Sequence, residues 1–213
     1  AVAILEKSLG PDHPDVARSL NGLALVYSAQ GRFAQAEPFY KRALAIYEHV
    51  YGTNHPLVAS SLHNLAGMYT QQGMPAQAES FYKRSLAINE KLCGVNHQDV
   101  ATSLVGIAAL YESQGNYAAT EPLYKRSLAI MEKTLGQDHP DLIPTLNGLA
   151  DMYRAQGLYA QAEPLYTRVL EITEKLLGPE HLDVASRLHN YAEFYCVEGK
   201  YMQAEPLVKR ALA

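Results

Sequence analysis

The stretch Gly10-Pro11-Asp12-His13-Pro14-Asp15-Val16-Ala17 decides the fold, because it returns four times. It returns as Gly52-Thr53-Asn54-His55-Pro56-Leu57-Val58-Ala59 and as Gly94-Val95-Asn96-His97-Gln98-Asp99-Val100-Ala101. It returns again as Gly136-Gln137-Asp138-His139-Pro140-Asp141-Leu142-Ile143 and as Gly178-Pro179-Glu180-His181-Leu182-Asp183-Val184-Ala185. The step from one opening glycine to the next is 42 residues every time. A constant period of about 20–50 residues marks a stacked repeat architecture. Five such units account for 210 of the 213 residues, so the repeat fills residues 1–213 as a single array with no room for a separate catalytic domain. The linkers fall near residues 10–14, 52–56, 94–98, 136–140 and 178–182.

One unit, taken residue by residue, gives two helices. Gly10 suits the left-handed turn that closes a helix. Pro14 suits the first position of a new one, where its missing N–H costs nothing. Asp15 then lies in the first turn, where the helix dipole favours a carboxylate. Val16, Leu20, Leu23, Ala24 and Tyr27 recur at three- and four-residue spacing, which predicts an amphipathic helix from Asp15 to about Gln30. Gly31 stops it. A second helix is expected from about Ala34 to Tyr51, with Phe33, Ala36, Tyr40, Ala43, Leu44 and Tyr47 as its apolar stripe. Glu37 and Lys41 stand four apart with the acid first, the favourable order for a surface pair. The pairing recurs at Glu79/Lys83, Glu121/Lys125 and Glu205/Lys209 and fails at Glu163/Thr167. Neither helix can bury its stripe alone, so successive pairs must stack into one core. The chain aligns mid-helix at both ends, since Ala1-Val2-Ala3 and Ala211-Leu212-Ala213 both match Ala43-Leu44-Ala45. A segment cut from a longer array is therefore expected.

Composition narrows the function classes. The net charge of −4 gives no polyanion-binding face, so nucleic acid is not an expected partner. No apolar run approaches the roughly 18–20 residues of a membrane span, so no membrane partner is expected either. Cys93 and Cys196 occupy dissimilar repeat positions and make an improbable disulfide, which fits a reducing, cytoplasmic setting. Ordinary helix packing is expected of both.

The residues Leu20, Leu23-Ala24, Tyr27, Gly31, Phe33, Ala36 and Ala43 fall on the pattern of the tetratricopeptide repeat, which the chain resembles. With the linker and with Ala36-Glu37-Pro38-Phe39-Tyr40-Lys41-Arg42-Ala43-Leu44, the unit closely resembles the repeats of kinesin light chains. The resemblance implies an all-α, right-handed superhelical solenoid of antiparallel helix pairs. It also implies that the first helices line a concave groove holding a peptide or protein segment. On that pattern the groove residues are Arg18, Asn21, Leu25, His63, Asn64, Asn147, Asp151, Arg154, His189 and Asn190, with Ser28 and Gly106 also on the groove side. Asparagine amides offer donors and acceptors to an extended backbone, so Asn21, Asn64, Asn147 and Asn190 are the expected main-chain contacts. Arg18 and Arg154 could pair with acidic ligand residues. Kinesin light chains tend to carry paired asparagines ahead of the Leu-Ala step. Here the pairs read Asn21-Gly22, His63-Asn64, Val105-Gly106, Asn147-Gly148 and His189-Asn190.

The expected function is a non-enzymatic interaction scaffold, with end-to-end self-association as the alternative. No cofactor and no metal are expected. His13, His55, His97, His139 and His181 are whole repeats apart, whereas a zinc site gathers its ligands at one point; capping or linker packing suits them better. The acids Glu112, Asp151 and Glu193 read as scattered.

Overall fold

The structure, a computed structural model, describes residues 2–212; Ala1 and Ala213, the end residues of the expected array, lie outside them. Among the described residues there is no strand. The chain divides into two compact units, Ala1–Gln114 and Gly115–Ala213. The first unit holds α1 (Val2–Leu9), α2 (Pro14–Ala29), α3 (Phe33–Tyr51), α4 (Pro56–Gln71), α5 (Pro75–Cys93) and α6 (Gln98–Ser113). The second holds α7 (Tyr117–Leu135), a 3-10 turn (Pro140–Leu142), α8 (Ile143–Ala155), α9 (Tyr159–Leu177), α10 (Leu182–Val197) and α11 (Tyr201–Ala211). Within each unit every helix packs on its neighbours in the chain: α2 on α3, α4 on α5, then α8 on α9 and α10 on α11.

The quoted linker sets where each first helix begins. His13 has extended backbone angles, φ −75° and ψ 140°, and its Nδ1 accepts the Asp15 backbone N–H at 3.1 Å. His55, His97, His139 and His181 repeat this bond to Leu57, Asp99, Asp141 and Asp183 at 3.1–3.2 Å. The imidazole thus does what Asn or Asp does at a helix start, satisfying one of the first orphan N–H groups. Capping is confirmed as the role of these histidines, and Pro14 and Asp15 take the expected first-turn positions. The fourth unit departs from the pattern. Here Pro144 has no N–H to return to Pro140, so the first turn lacks that α-type bond. A 3-10 turn forms instead, and α8 starts at Ile143.

First helices close alike. Gly31 takes φ 71°, and the Arg32 N–H reaches back to the Tyr27 carbonyl at 2.9 Å, the long bond of a Schellman turn. Second helices run unbroken through Pro38, Pro122, Pro164 and Pro206.

The core is the predicted stripe, widened by one row. Val16, Ala17, Leu20, Ala24, Ala36 and Ala43 have no exposed surface, and Tyr40 and Tyr47 lie beside them. Ala17 and its counterparts Ala59 and Ala101 join the core because each unit's first helix is covered by two neighbours. Polar ties bind one repeat to the next. Tyr69 donates to Glu37 Oε1 at 2.8 Å and Tyr111 to Glu79 Oε1 at 2.7 Å. In the second unit Tyr153 donates to Glu121 and Tyr195 to Glu163, at 2.9 and 2.8 Å. The lysine four residues on holds the same carboxylate at 2.5–2.6 Å in Lys41–Glu37, Lys83–Glu79 and Lys125–Glu121. The lysine and tyrosine hydrogen bonds keep Glu37, Glu79 and Glu121 below the usual carboxylate range. Arginines tie second helices together, as Arg42 to Glu6 at 2.6 Å and Arg84 to Glu48 in the first unit, and Arg168 to Glu132 and Arg210 to Glu174, both 2.5 Å, in the second. No described helix is long and apolar enough to cross a membrane.

Candidate binding clefts on the first helices

In each compact unit one pair of first helices runs side by side, with the second helix between them as the floor of a cleft. In the first unit the walls are α4 (Pro56, Ser60, His63) and α6 (Asp99, Thr102, Ser103), and the floor is Ser85 and Asn89 of α5. Its volume is about 290 Å³. The floor's polar atoms are already used. The Asn89 amide donates to the Asp99 carbonyl at 3.2 Å and to Ser103 Oγ at 3.0 Å, and Ser85 Oγ donates to the Ala59 carbonyl at 2.8 Å. His63 meets the Tyr82 ring edge-on at 5.1 Å. Burial pushes its pKa below the ordinary imidazole value, which keeps the ring neutral at pH 7.

The second unit carries a cleft of about 220 Å³ lined by Asn147, Asp151 and Arg154 of α8, Tyr166 of α9, and Asn190 and Glu193 of α10. Tyr166 donates to Asp151 Oδ1 at 2.6 Å, and Arg154 Nη2 lies 3.4 Å from the same oxygen. Burial first, then the Asp151 carboxylate, raises the Tyr166 hydroxyl far above its usual range, so it stays a donor. Arg154 Nε is buried without a partner among the described residues. The cleft is therefore lined by two amides, two carboxylates and one guanidinium.

Four of the ten sequence-predicted groove residues meet here: Asn147, Asp151, Arg154 and Asn190. Asp151 and Glu193, which read as scattered acids, share this cleft. His63 serves the other cleft. Asn21 is already engaged, donating to Ser61 Oγ at 3.0 Å across the repeat boundary, although its Oδ1 is buried and unpartnered among the described residues. Arg18 is exposed and paired with Asp15 at 2.8 Å. Leu25, Asn64, His189 and Asn190 are exposed.

Two expected groove positions are corrected. Ser28 is 6% exposed, because the end of α4 covers it, and its Oγ donates to Gln71 Oε1 at 3.2 Å. Gly106 is buried against the Tyr82 ring. A Cβ there would stand 2.4 Å from Tyr82 Cε1, and one on Gly148 would stand 2.5 Å from Tyr124 Cζ. These glycines make room for the tyrosine of the preceding second helix. The expected packing of the cysteines is also corrected, since Cys93 and Cys196 are exposed and unpaired.

The floor residues escaped sequence reasoning. One signal was present for Asn89. It stands where the other units place Tyr47, Met131 and Thr173, a polar residue in an otherwise covered row.

The tetratricopeptide repeat family model matches residues 1–49, 30–91, 99–175 and 142–213. No curated protein matches the sequence significantly. Among solved structures, the nearly identical TPR-like repeats of a candidate kinesin light chain from Podosopora anserina are 28% identical. That match covers 93% of this chain and 94% of the other, with a TM-score of 0.76. A single-substitution variant of the same protein gives 28% identity and a TM-score of 0.77 over the same shares. BtubC (BKLC) from P. vanneervenii, at 22% identity and a TM-score of 0.81 over 99% of this chain and 84% of its own, is alike in fold. Repeat period, helix pairing and family model agree, and the chain belongs to the tetratricopeptide repeat family.

Proposed function

We propose that residues 1–213 work as one array, a non-enzymatic scaffold that holds an extended peptide or protein segment against its first helices. The observation that carries this is the polar cleft of the second unit. There Asn147, Asp151, Arg154 and Asn190 converge, and the buried Arg154 Nε lacks a partner among the described residues. Such a wall suits a main chain, whose N–H and C=O groups alternate. A rigid stack has already met its own ordering cost, so spread contacts of modest strength can add up to useful affinity. Asp151 is tied to Arg154 and to Tyr166, which suits recognition better than turnover. A cytoplasmic setting suits two free thiols, and neither nucleic acid nor membrane is a proposed partner.

The test is a peptide-array screen, with hits measured by fluorescence anisotropy against the whole chain and against Asn147→Ala/Asn190→Ala. Losing two amide contacts of about 1 kcal/mol each should weaken a cleft-bound peptide by roughly 10–30-fold. Hits that bind the double variant as tightly as the parent would refute the cleft. A second reading, end-to-end self-association, is favoured by Ile4 on α1 and Met202 on α11, which are 71% and 85% exposed. Light scattering across concentration separates it. Mass growing with concentration, and suppressed by Ile4→Lys and Met202→Lys, would support stacking, and a constant monomer mass would remove it.

A further inference from the structure

The third linker differs from the other four in chemistry. The last helical position before the closing glycine is Leu9, Tyr51, Leu135 or Leu177 elsewhere, and Cys93 here. α5 ends at Cys93, Gly94 turns the chain at φ 84°, and α6 starts after His97. The turn brings the Cys93 sulfur, a ring nitrogen of His97 and a carboxylate oxygen of Asp99 within 4.8 Å of one another, all exposed. Three donor types suited to one borderline-soft cation thus converge on a linker that elsewhere holds only a capping histidine, with or without its acid.

We propose that Cys93, His97 and Asp99 form a binding site for a thiophilic divalent cation of the zinc class. Thiolate, imidazole and carboxylate are the three side chains that bind zinc. Two ligands on one tetrahedral zinc stand about 3.3 Å apart for N and O, and about 3.6 Å for S and N, given bonds of about 2.0–2.3 Å. His97 Nδ1 lies 3.4 Å from Asp99 Oδ2, near that edge length. The equivalent separations are 3.8, 3.7 and 3.8 Å at His13/Asp15, His139/Asp141 and His181/Asp183. The thiol must close by about 1 Å, within reach of one rotation about its Cα–Cβ bond. Nδ1 is the unprotonated ring nitrogen, since it accepts the Asp99 N–H at 3.2 Å. Metal binding takes the Nδ1 lone pair, leaves the Asp99 N–H to water, and releases the thiol proton to solvent. Water completes the coordination, as in open three-ligand sites.

The test titrates Co²⁺ into the reduced whole chain and follows the near-ultraviolet sulfur-to-cobalt charge-transfer band, then displaces the cobalt with Zn²⁺. The expected result is a band saturating at one cobalt per chain, lost in Cys93→Ala and in His97→Ala, and kept in Cys196→Ala. His139→Ala, which removes an equivalent cap, should also keep it, so that loss of a cap and loss of a ligand are told apart. Far-UV circular dichroism checks that each variant remains helical. Absence of the band in the parent chain, or a band that survives Cys93→Ala, would overturn the site.

Discussion

Four glycines lie inside first helices, and the structure assigns them opposite responses to alanine. Gly22 has nothing within 4 Å of where a Cβ would go, and Gly67 would meet only Tyr82 Oη, at 3.6 Å. At Gly106 the Cβ would stand 2.4 and 2.9 Å from Tyr82 ring carbons and 3.0 Å from His63 Cε1. Every helical Gly→Ala gains about 1 kcal/mol of intrinsic propensity. That gain stands alone at Gly22, so Gly22→Ala should stabilise by about 0.5–1 kcal/mol. At Gly106 carbon contacts near 3.5–4.0 Å are wanted, and the shortfall exceeds 1 Å. Tyr82 is 5% exposed and cannot swing into solvent. Such overpacking costs about 1–3 kcal/mol. The propensity gain cancels between the two variants, so the gap between them measures the clash. Urea unfolding followed by helical ellipticity gives the midpoints. Hydrogen exchange in α4–α6 localises the change, because repeat arrays need not unfold as one step. Tyr82→Ala should abolish the penalty of Gly106→Ala, giving a favourable coupling in the double-mutant cycle. Equal upward shifts of Gly22→Ala and Gly106→Ala, or no coupling to Tyr82, would refute the reasoning.

Tyr153→Phe removes a donor to the part-exposed Glu121 carboxylate. It should cost about 1.5 kcal/mol, the low end for a bond to a charged group because water replaces it; calorimetric Tm reads this. His55→Ala should cost about 1 kcal/mol through loss of the cap on Leu57 N–H, and His55→Asn should recover most of it in the same measurement. Stability should also fall with acid in two stages. His63 has a folded-state pKa lowered by burial, so the unfolded chain binds more protons. Its contribution is complete above the ordinary value of 6.5 and fades as pH falls below it. Glu37, Glu79 and Glu121 are lowered by their lysine and tyrosine partners, and their contribution is complete above 4.5 and fades further down. Urea midpoints from pH 8 to pH 3 should show both stages, and His63→Gln should remove only the upper one.

What was legible in the sequence was whatever a single repeat determines. Pro14, Asp15 and Gly31 act through their own backbone, and each helix they bound lies within two residues of its expected limits. The histidine caps act over two residues, so their role was legible too. What was not legible depends on the neighbouring repeat. Ser28 looks like a groove position until the end of α4 closes over it. Gly106 looks like a groove position too, until the Tyr82 ring, 24 residues earlier, is seen to need the space, as Tyr124 needs it at Gly148. The 42-residue period sets His97 beside His55 and His139 and hides its nearness to Cys93, which lies across one turn.

The fifth repeat shows why these cross-repeat relations matter more than the consensus. Glu163 lacks its lysine, because Thr167 stands there, and on consensus grounds the tie to the next first helix should weaken. A second departure offsets the first. Tyr191 stands where the other repeats carry Leu23, Leu65, Ile107 and Leu149. Its hydroxyl lies 2.8 Å from Thr167 Oγ1 and 2.9 Å from Tyr195 Oη, and Tyr195 still donates to Glu163. Lys200 also approaches Glu163, at 3.9 Å. A chain of hydroxyls thus replaces an ion pair, and neither substitution makes sense without the other. A lysine at position 167 would run into the Tyr191 hydroxyl, and a leucine at 191 would leave Thr167 without its cross-helix partner. Variation in this array is therefore paired across the repeat boundary, even where each position taken alone reads as a lapse from the pattern.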